Sequence, residues 1–314
     1  MSETKGRGSV CGWADAPVTV RSPATSANLG PGFDALGLAL TLHDVIEARI
    51  IPGGVAIEVS GAGEDTAAAG EDHLIIRAMR AAFDAAGGQP PGIGLRCVNA
   101  IPHGYGLGSS AAAIVAGLLA ARALAPRGAV LTDADVLRLA TQLEGHPDNV
   151  AACLAGGLTI AWTSDAGPQA ARLTPVAGLT PVLCVPEAPL ATEQARGLLP
   201  PTVPHADAAT NAARTALLIA ALTSDPALLM AGTEDLLHQP YRAPAMPATA
   251  GLIGRLRAAG IPAVVSGAGP AVLALTAAGT HPGPEAVQKI ASGTGDTWRV
   301  QALDVDTEGA TIQA

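Results

Sequence analysis

Pro102-His103-Gly104-Tyr105-Gly106-Leu107-Gly108-Ser109-Ser110-Ala111-Ala112 is the stretch on which the reading of this chain turns. Its three glycines alternate with other residues and lead into two serines and an alanine-rich apolar run. Glycine allows a backbone to turn at positive φ and to approach a ligand with no Cβ in the way. The run from Ala111 to Ala125 reads as a helix, which puts the serines in its first turn. Unpaired N–H groups and the positive end of the helix dipole suit that place to a phosphate. A serine hydroxyl there can hold Mg²⁺ or a phosphate oxygen.

Two familiar phosphate loops do not fit. A Walker loop needs a Gly-Lys pair, and none exists among the 314 residues, whose only lysines are Lys5 and Lys289. The glycines also lack the G-x-G-x-x-G spacing of a dinucleotide site. Composition narrows the class further. With 49% hydrophobic and 14% charged residues, the chain is that of a well-cored enzyme. A net charge of −9 opposes phosphate-backbone binding, so no nucleic-acid partner is expected. Cys11, Cys97, Cys153 and Cys184 are scattered, which disfavours a zinc site or a disulfide framework. Met1–Ser9 has no apolar signal core, and the apolar run after Ser110 is broken by Arg122. A cytoplasmic protein without a membrane partner is expected.

Along the chain, strands are expected at Val18–Arg21, Leu38–Arg49, Val55–Ser60, Ile93–Val98, Leu158–Trp162, Val182–Val185 and Trp298–Leu303. Ser22–Asp34 is too rich in Gly, Pro and small polar residues for a regular element, and Gly61–Asp72 reads as a surface loop. Asp72 is expected to cap a helix with apolar positions Ile75, Ile76, Met79, Ala82 and Phe83. Thr132-Asp133-Ala134-Asp135 predicts a capping box, opening a helix to Leu143. Further helices are expected around 192–198, 208–222, 248–259 and 285–291, and Pro262–Leu275 as strand, glycine turn, strand. Ser164–Leu179 is the expected domain boundary.

The loop from Pro102 to Ala111 closely resembles the Pro-x-x-x-Gly-Leu-Gly-Ser-Ser-Ala loop of the galactokinase–homoserine kinase–mevalonate kinase (GHMP) superfamily. Ser22–Asp34, Glu144–Asn149 with Gly156-Gly157, His238–Arg242 and Ser266–Pro270 resemble, in matching order, its homoserine kinase branch. The resemblance implies an α+β fold: a ribosomal-S5-like N-terminal ATP-binding domain (17–165) and a ferredoxin-like C-terminal domain (170–314), with the site between them. It implies ATP and Mg²⁺ as cofactors, L-homoserine as substrate, O-phospho-L-homoserine as product in threonine biosynthesis, and a homodimer.

Carried onto this sequence, the resemblance gives Pro102–Ala112 to the triphosphate, and Ser110 and Glu144 to Mg²⁺. Phosphoryl transfer is mostly positioning and charge neutralisation. Homoserine is a zwitterion, and Arg196 and Arg242 suit its carboxylate. Thr192 and Gly267 fall in substrate motifs, Asp34 would take the ammonium or hydroxyl, and Asn28 would hydrogen-bond the substrate. Turn chemistry is the bland alternative for Asn28 and Asp34. His146 and Asn149 would lie where substrate meets γ-phosphate. Mevalonate kinases place an aspartate base where Asn149 stands, so the expectation is direct transfer without a carboxylate base, with Asp148 the nearby challenger. Two competing readings stay open: a kinase for another small alcohol (mevalonate or a sugar), and a silent ligand sensor on the same fold. His103 and Tyr105 depart from the small, aliphatic or basic residues common at these loop positions.

Overall fold

The computed structural model describes residues 12–126, 128, 130–190 and 195–313. Two antiparallel-rich sheets carry the architecture. In the larger, β1 (Val18–Ala27), β2 (Leu36–Ile50), β3 (Gly54–Gly61), β4 (Gly92–Asn99) and the last strand, Thr311–Gln313, lie in the order last strand, β1, β2, β4, β3. The hairpin of β5 (Leu158–Ser164) and β6 (Gly167–Leu173) joins the N-terminal end of β2. The smaller sheet takes β7 (Leu179–Pro186), β8 (Ala263–Val265), β9 (Val272–Ala277) and β10 (Trp298–Ala302) in the order β10, β7, β9, β8. The strand Thr311–Gln313 is β11.

Four helices cover the larger sheet: α1 (Leu74–Ala85), α2 (Ser109–Leu124), α3 (Asp133–Glu144) and α4 (Asp148–Ala155). Helix α1 buries the periodic positions Ile75, Ile76, Met79, Ala82 and Phe83. Helix α2 is buried almost all round, as its alanine-rich composition, charged only at Arg122 in the last turn, requires. Thr132 and Asp135 form the capping box at the start of α3. Three later helices, α5 (His205–Thr223), α6 (Pro247–Ala258) and α7 (Pro284–Ser292), follow the expected periodic runs, and Val182, Leu252, Leu256 and Val287 share a second core under the smaller sheet.

Four expectations are corrected. Strand β1 runs on through Ser22–Ala27, because a bulge between Pro23 and Ala24 absorbs the proline that cannot donate to the ladder. Gly61–Asp72 contains a 3₁₀ helix, Glu64–Asp72, which runs into α1 so that His73, not Asp72, is the capping position. Inside the expected boundary Ser164–Leu179, β6 still belongs to the larger sheet, so the two sheets part between Leu173 and Leu179 and not at 165–170. The chain end also leaves the second sheet: Asp306 N donates to Ala39 O (3.0 Å), Ala310 N to Cys153 O (2.8 Å), and β11 pairs with β1.

A charged clasp secures that return. His43 Nε2 and Asp306 Oδ2 lie 2.6 Å apart, and Arg21 Nη2 is 2.9 Å from His43 Nδ1. Burial would raise the Asp306 carboxyl, but the bond from His43 and the amides of Gly309 and Glu308 outweigh it and hold it below the usual range. A carboxyl so lowered adds stability that is full above its unfolded value, about 3.9, and is lost as pH falls through the folded one. Asp306→Asn is therefore expected to cost about 1–3 kcal/mol at pH 7 by urea unfolding. Its deficit against the wild type should shrink below about pH 4; a deficit that is the same at pH 3 and pH 7 contradicts the clasp.

Candidate active site

The free edge of β1 receives the glycine loop. β11 covers that edge only at Thr19–Arg21, and further along Thr25 N donates instead to Leu107 O (3.0 Å). From the other side comes Ser266–Ala271. Ser266 Oγ donates to Gly106 O (2.7 Å), and Ala271 N to Tyr105 O (3.2 Å). Gly267 N donates to Ala27 O (3.1 Å). Gly106 and Gly108 both have positive φ, 74° and 65°. A Cβ on Gly106 would strike Ser266 O, and one on Gly108 would strike Thr25 Oγ1. Here glycine is a requirement of space as well as of dihedral angle.

Gly108 caps α2 with no side-chain hydrogen bond, whereas α3, at the surface, carries its full capping box. The Ser109, Ser110 and Ala111 amides are the helix-start donors that have no intrahelical acceptor. Ala112 N is spent on Gly108 O (2.8 Å), and the Ala111 and Ala112 side chains are buried in the core.

Two cavities meet at these serines. One, of about 320 Å³, is lined by Ser109 and Ser110 together with Asp44, His73, Asn99 and His103. Ser22 Oγ and His73 Nδ1 are buried on its wall without a hydrogen-bond partner among the described residues. Burial, and then the nearby His103, push the His73 imidazole down, toward its neutral form. The other cavity, of about 60 Å³, is small and strongly polar. It brings together Asn28, Asp34, Glu144, His146, Asn149, Arg196, Arg242 and Gly267 with the loop from Gly104 to Ser110. Thr192 lies outside the described residues. Pro102 and Tyr105 face a separate groove, and the Tyr105 hydroxyl donates to Glu187 O (2.9 Å), bracing the loop from behind.

Each charge in the smaller cavity has a partner. Ser110 Oγ donates to Glu144 Oε1 (2.7 Å). Burial, aided by the charge of Asp148, raises the Glu144 carboxyl despite that bond. His146 Nδ1 lies 2.5 Å from Asp148 Oδ1, and this bond raises the imidazole against the opposing effect of burial. Asp148 Oδ1 also accepts from Asn149 N (2.8 Å), and Thr25 Oγ1 donates to Asn149 Oδ1 (2.8 Å). Arg196 grips Asp34 through both nitrogens (3.0 and 3.1 Å). Asn28 is held by Gly267 O (2.8 Å) and by the amide of Asp34 (2.9 Å), which is the turn chemistry offered as the alternative to a substrate contact. Its φ of 67°, with 52° at Leu29 and at Asp34, puts strained backbone beside the cavity.

Arg242 is 1% exposed and donates to Ala195 O (3.2 Å) and Gly267 O (3.3 Å). Burial, then the charge of Arg196, lowers its guanidinium. Phe33 lies between the two arginines, 5.9 Å from the Arg196 guanidinium carbon and 5.6 Å from that of Arg242. Sequence reasoning missed Phe33, Thr25 and, of the larger cavity's walls, Ser22, Asp44, His73 and Asn99, though it named His103, Ser109 and Ser110. Only His73, at a helix start before an apolar run, left a local trace.

A glycine loop over an uncapped helix, a nucleoside-sized cavity on one side and a polar, charge-lined one on the other define a small-molecule kinase built between two α+β domains. Residues 73–157 match the family described as GHMP kinases N terminal domain, and residues 217–296 match GHMP kinases C terminal. The chain belongs to the GHMP kinase family. Its relatives point to one branch: it is 54% identical over 298 residues to the homoserine kinase of Streptomyces coelicolor, covering 95% of this chain and 94% of that one. It also superposes on the crystal structure of homoserine kinase from Cytophaga hutchinsonii with a TM-score of 0.82 and 26% identity, over 99% of this chain and 100% of that one. The mevalonate kinase of Methanococcus jannaschii shares the fold, with a TM-score of 0.66 at 12% identity over 92% and 98% of the two chains.

If the loop is held by contact and not only by its dihedral angles, two glycine substitutions will separate. Gly145, also at positive φ, has nothing within 4 Å of a built Cβ. Gly145→Ala should cost about 1–2 kcal/mol, the ordinary penalty of a left-handed alanine. Gly106→Ala should cost at least about 2 kcal/mol more in urea unfolding, because backbone atoms must move. Equal losses would show the close approach to be dispensable.

Proposed function

We propose that the chain transfers the γ-phosphoryl group of ATP to the side-chain hydroxyl of L-homoserine, giving O-phospho-L-homoserine and ADP, a step in threonine biosynthesis. The observation that carries this reading is the position of Ser109 and Ser110, which line both cavities at the start of α2. A triphosphate lying there points its base into the larger cavity and its γ-phosphate into the smaller. Asn99 and His103, which also line the larger cavity, offer polar side chains to a purine.

The smaller cavity fits a zwitterion. Arg196 and Asp34 are already an opposed pair, part-exposed at 43% and 35% of their side chains. Such a pair is cheap to open. The substrate ammonium takes Asp34, and its carboxylate takes Arg196 and Arg242 as planar forks. Asn28 and Gly267 shape the floor, and His146 and Asn149 stand at the phosphoryl end.

Among the described residues no cluster of three or more His, Cys, Asp or Glu is arranged to hold a metal alone. Mg²⁺ needs no such cluster, because it keeps waters and takes phosphate oxygens alongside one or two carboxylates. The Ser110–Glu144 pair fits this donor set and would hold Mg²⁺, which when bound neutralises charge on the phosphate oxygens. The surrounding carboxylates are engaged: Asp34 with Arg196, Glu144 with Ser110, and buried Asp148 with His146 and the Asn149 amide. This supports transfer driven by orientation and charge stabilisation, with no carboxylate dedicated to taking the hydroxyl proton.

ADP release measured with L-homoserine, mevalonate and galactose in turn tests the substrate. Turnover with homoserine alone is expected; tight binding without turnover would favour a sensor. Glu144→Gln should lower kcat at least about 100-fold and shift Mg²⁺ dependence to higher concentration. Arg242→Ala should raise KM for homoserine about 100-fold while KM for ATP holds, since a buried charged fork is lost from one substrate only. If KM for ATP moves instead, the assignment of the two cavities is wrong.

A further inference from the structure

The residue that holds Arg242 in place is itself hidden. His238 is completely buried, four residues before Arg242. Its ring touches three groups at once, one of which, Arg242, lines the smaller cavity. Nε2 lies 2.9 Å from Gly30 O, Nδ1 lies 3.1 Å from Arg242 Nη1, and the ring stacks on Phe33 with centroids 5.3 Å apart. An arginine nitrogen can only donate, so Nδ1 must be the acceptor, and a carbonyl can only accept, so Nε2 must carry the proton. Asp235 Oδ2, 3.5 Å from Nε2, favours the same tautomer. The imidazole is therefore neutral with one fixed tautomer. A second proton on Nδ1 would set two donors against each other in a site closed to water.

From this geometry we infer that His238 is a positioning residue for substrate binding: its Nδ1 lone pair fixes the Arg242 guanidinium, and its Nε2–H ties that fork to the Gly30 end of the Asn28–Asp34 loop. The inference rests on the reading that Arg242 receives the substrate carboxylate. Arg242 has no carboxylate among the hydrogen-bond partners described, only the Ala195 and Gly267 carbonyls and this imidazole. An acid in the place of His238 would neutralise the fork; a neutral acceptor leaves its charge for the ligand. The arrangement also explains why a histidine suits the position. It is rigid and flat enough to stack on Phe33, and it offers one acceptor and one donor on opposite edges.

The two bonds of His238 can be removed separately. In His238→Asn the amide oxygen can stand near the Nδ1 position and accept from Arg242, but the side chain is too short to reach Gly30. In His238→Gln the amide nitrogen can replace Nε2 toward Gly30, while the acceptor facing Arg242 is lost. The expected order for KM of homoserine is wild type, then Asn within about threefold, then Gln and Ala raised about tenfold or more. KM for ATP should stay unchanged throughout. A Gln variant as good as Asn, equal effects of the two, or no change in either overturns the assignment. His238→Ala is not essential to the test, so its failure to fold leaves the Asn and Gln comparison intact. Absence of homoserine turnover in the wild type would instead sink the kinase reading. The His238 bond is then read separately by ¹⁵N NMR of the imidazole in the full-length protein. A neutral ring protonated only at Nε2 is expected, and a proton on Nδ1 refutes the inference.

Discussion

Backbone packed directly on backbone, with no room for a Cβ between, is what brings this site together. The end of β1, the glycine loop and the Ser266–Ala271 turn meet through Thr25 N to Leu107 O, Gly267 N to Ala27 O and Ser266 Oγ to Gly106 O. Each segment comes from a different part of the chain: β1 is in the larger sheet, the glycine loop joins β4 to α2, and the third links β8 to β9. Their hydrogen bonds are satisfied by one another, as buried polar backbone must be. The start of α2 is then left with donors that the protein does not satisfy by a cap, and this is what makes it a place for an anion.

Around this rigid centre the charges are arranged in pairs that a ligand can enter. Arg196 and Asp34 sit at the partly exposed rim, where opening an ion pair costs little. Arg242 lies deeper, and its burial is compensated by carbonyls and a neutral imidazole, so its positive charge is not cancelled. The His146–Asp148 pair and the Ser110–Glu144 pair stand at the helix ends beside the glycine loop. Rim pair and buried fork together place two positive forks and one carboxylate on one small cavity. The loop thus contributes unpaired backbone donors, and the arginines contribute side-chain charge, to the lining of the smaller cavity.

Much of this was legible in the sequence, for identifiable reasons. The loop from Pro102 to Ala111 is contiguous, and its glycines, serines and alanines are each demanded by a local requirement of dihedral angle, donor or packing. Helix α1 declared itself through a 3.6-residue apolar period and α3 through Thr132 and Asp135, both signals confined to a few turns. The same locality caused the errors. Ser22–Ala27 has the composition of a loop, and only the neighbouring strand β2, with its bulge at Pro23, makes it a strand. Thr311–Gln313 is three residues long and is a strand only because β1 offers it an edge.

The chain by itself determined the family and the glycine loop's local conformation, because those depend on neighbours a few positions apart. Tertiary structure alone decided which of them meet. Arg196 reaches Asp34 across 162 positions and His238 reaches Gly30 across 208, separations at which no periodicity or spacing rule carries information. It also made the larger cavity from Ser22, Asp44 and His73, three residues with no common motif. Hydrogen bonding and charge pairing are short-ranged in space, not in sequence. The glycine loop could therefore be recognised from one segment, whereas the substrate cavity could be described only after the segments had packed.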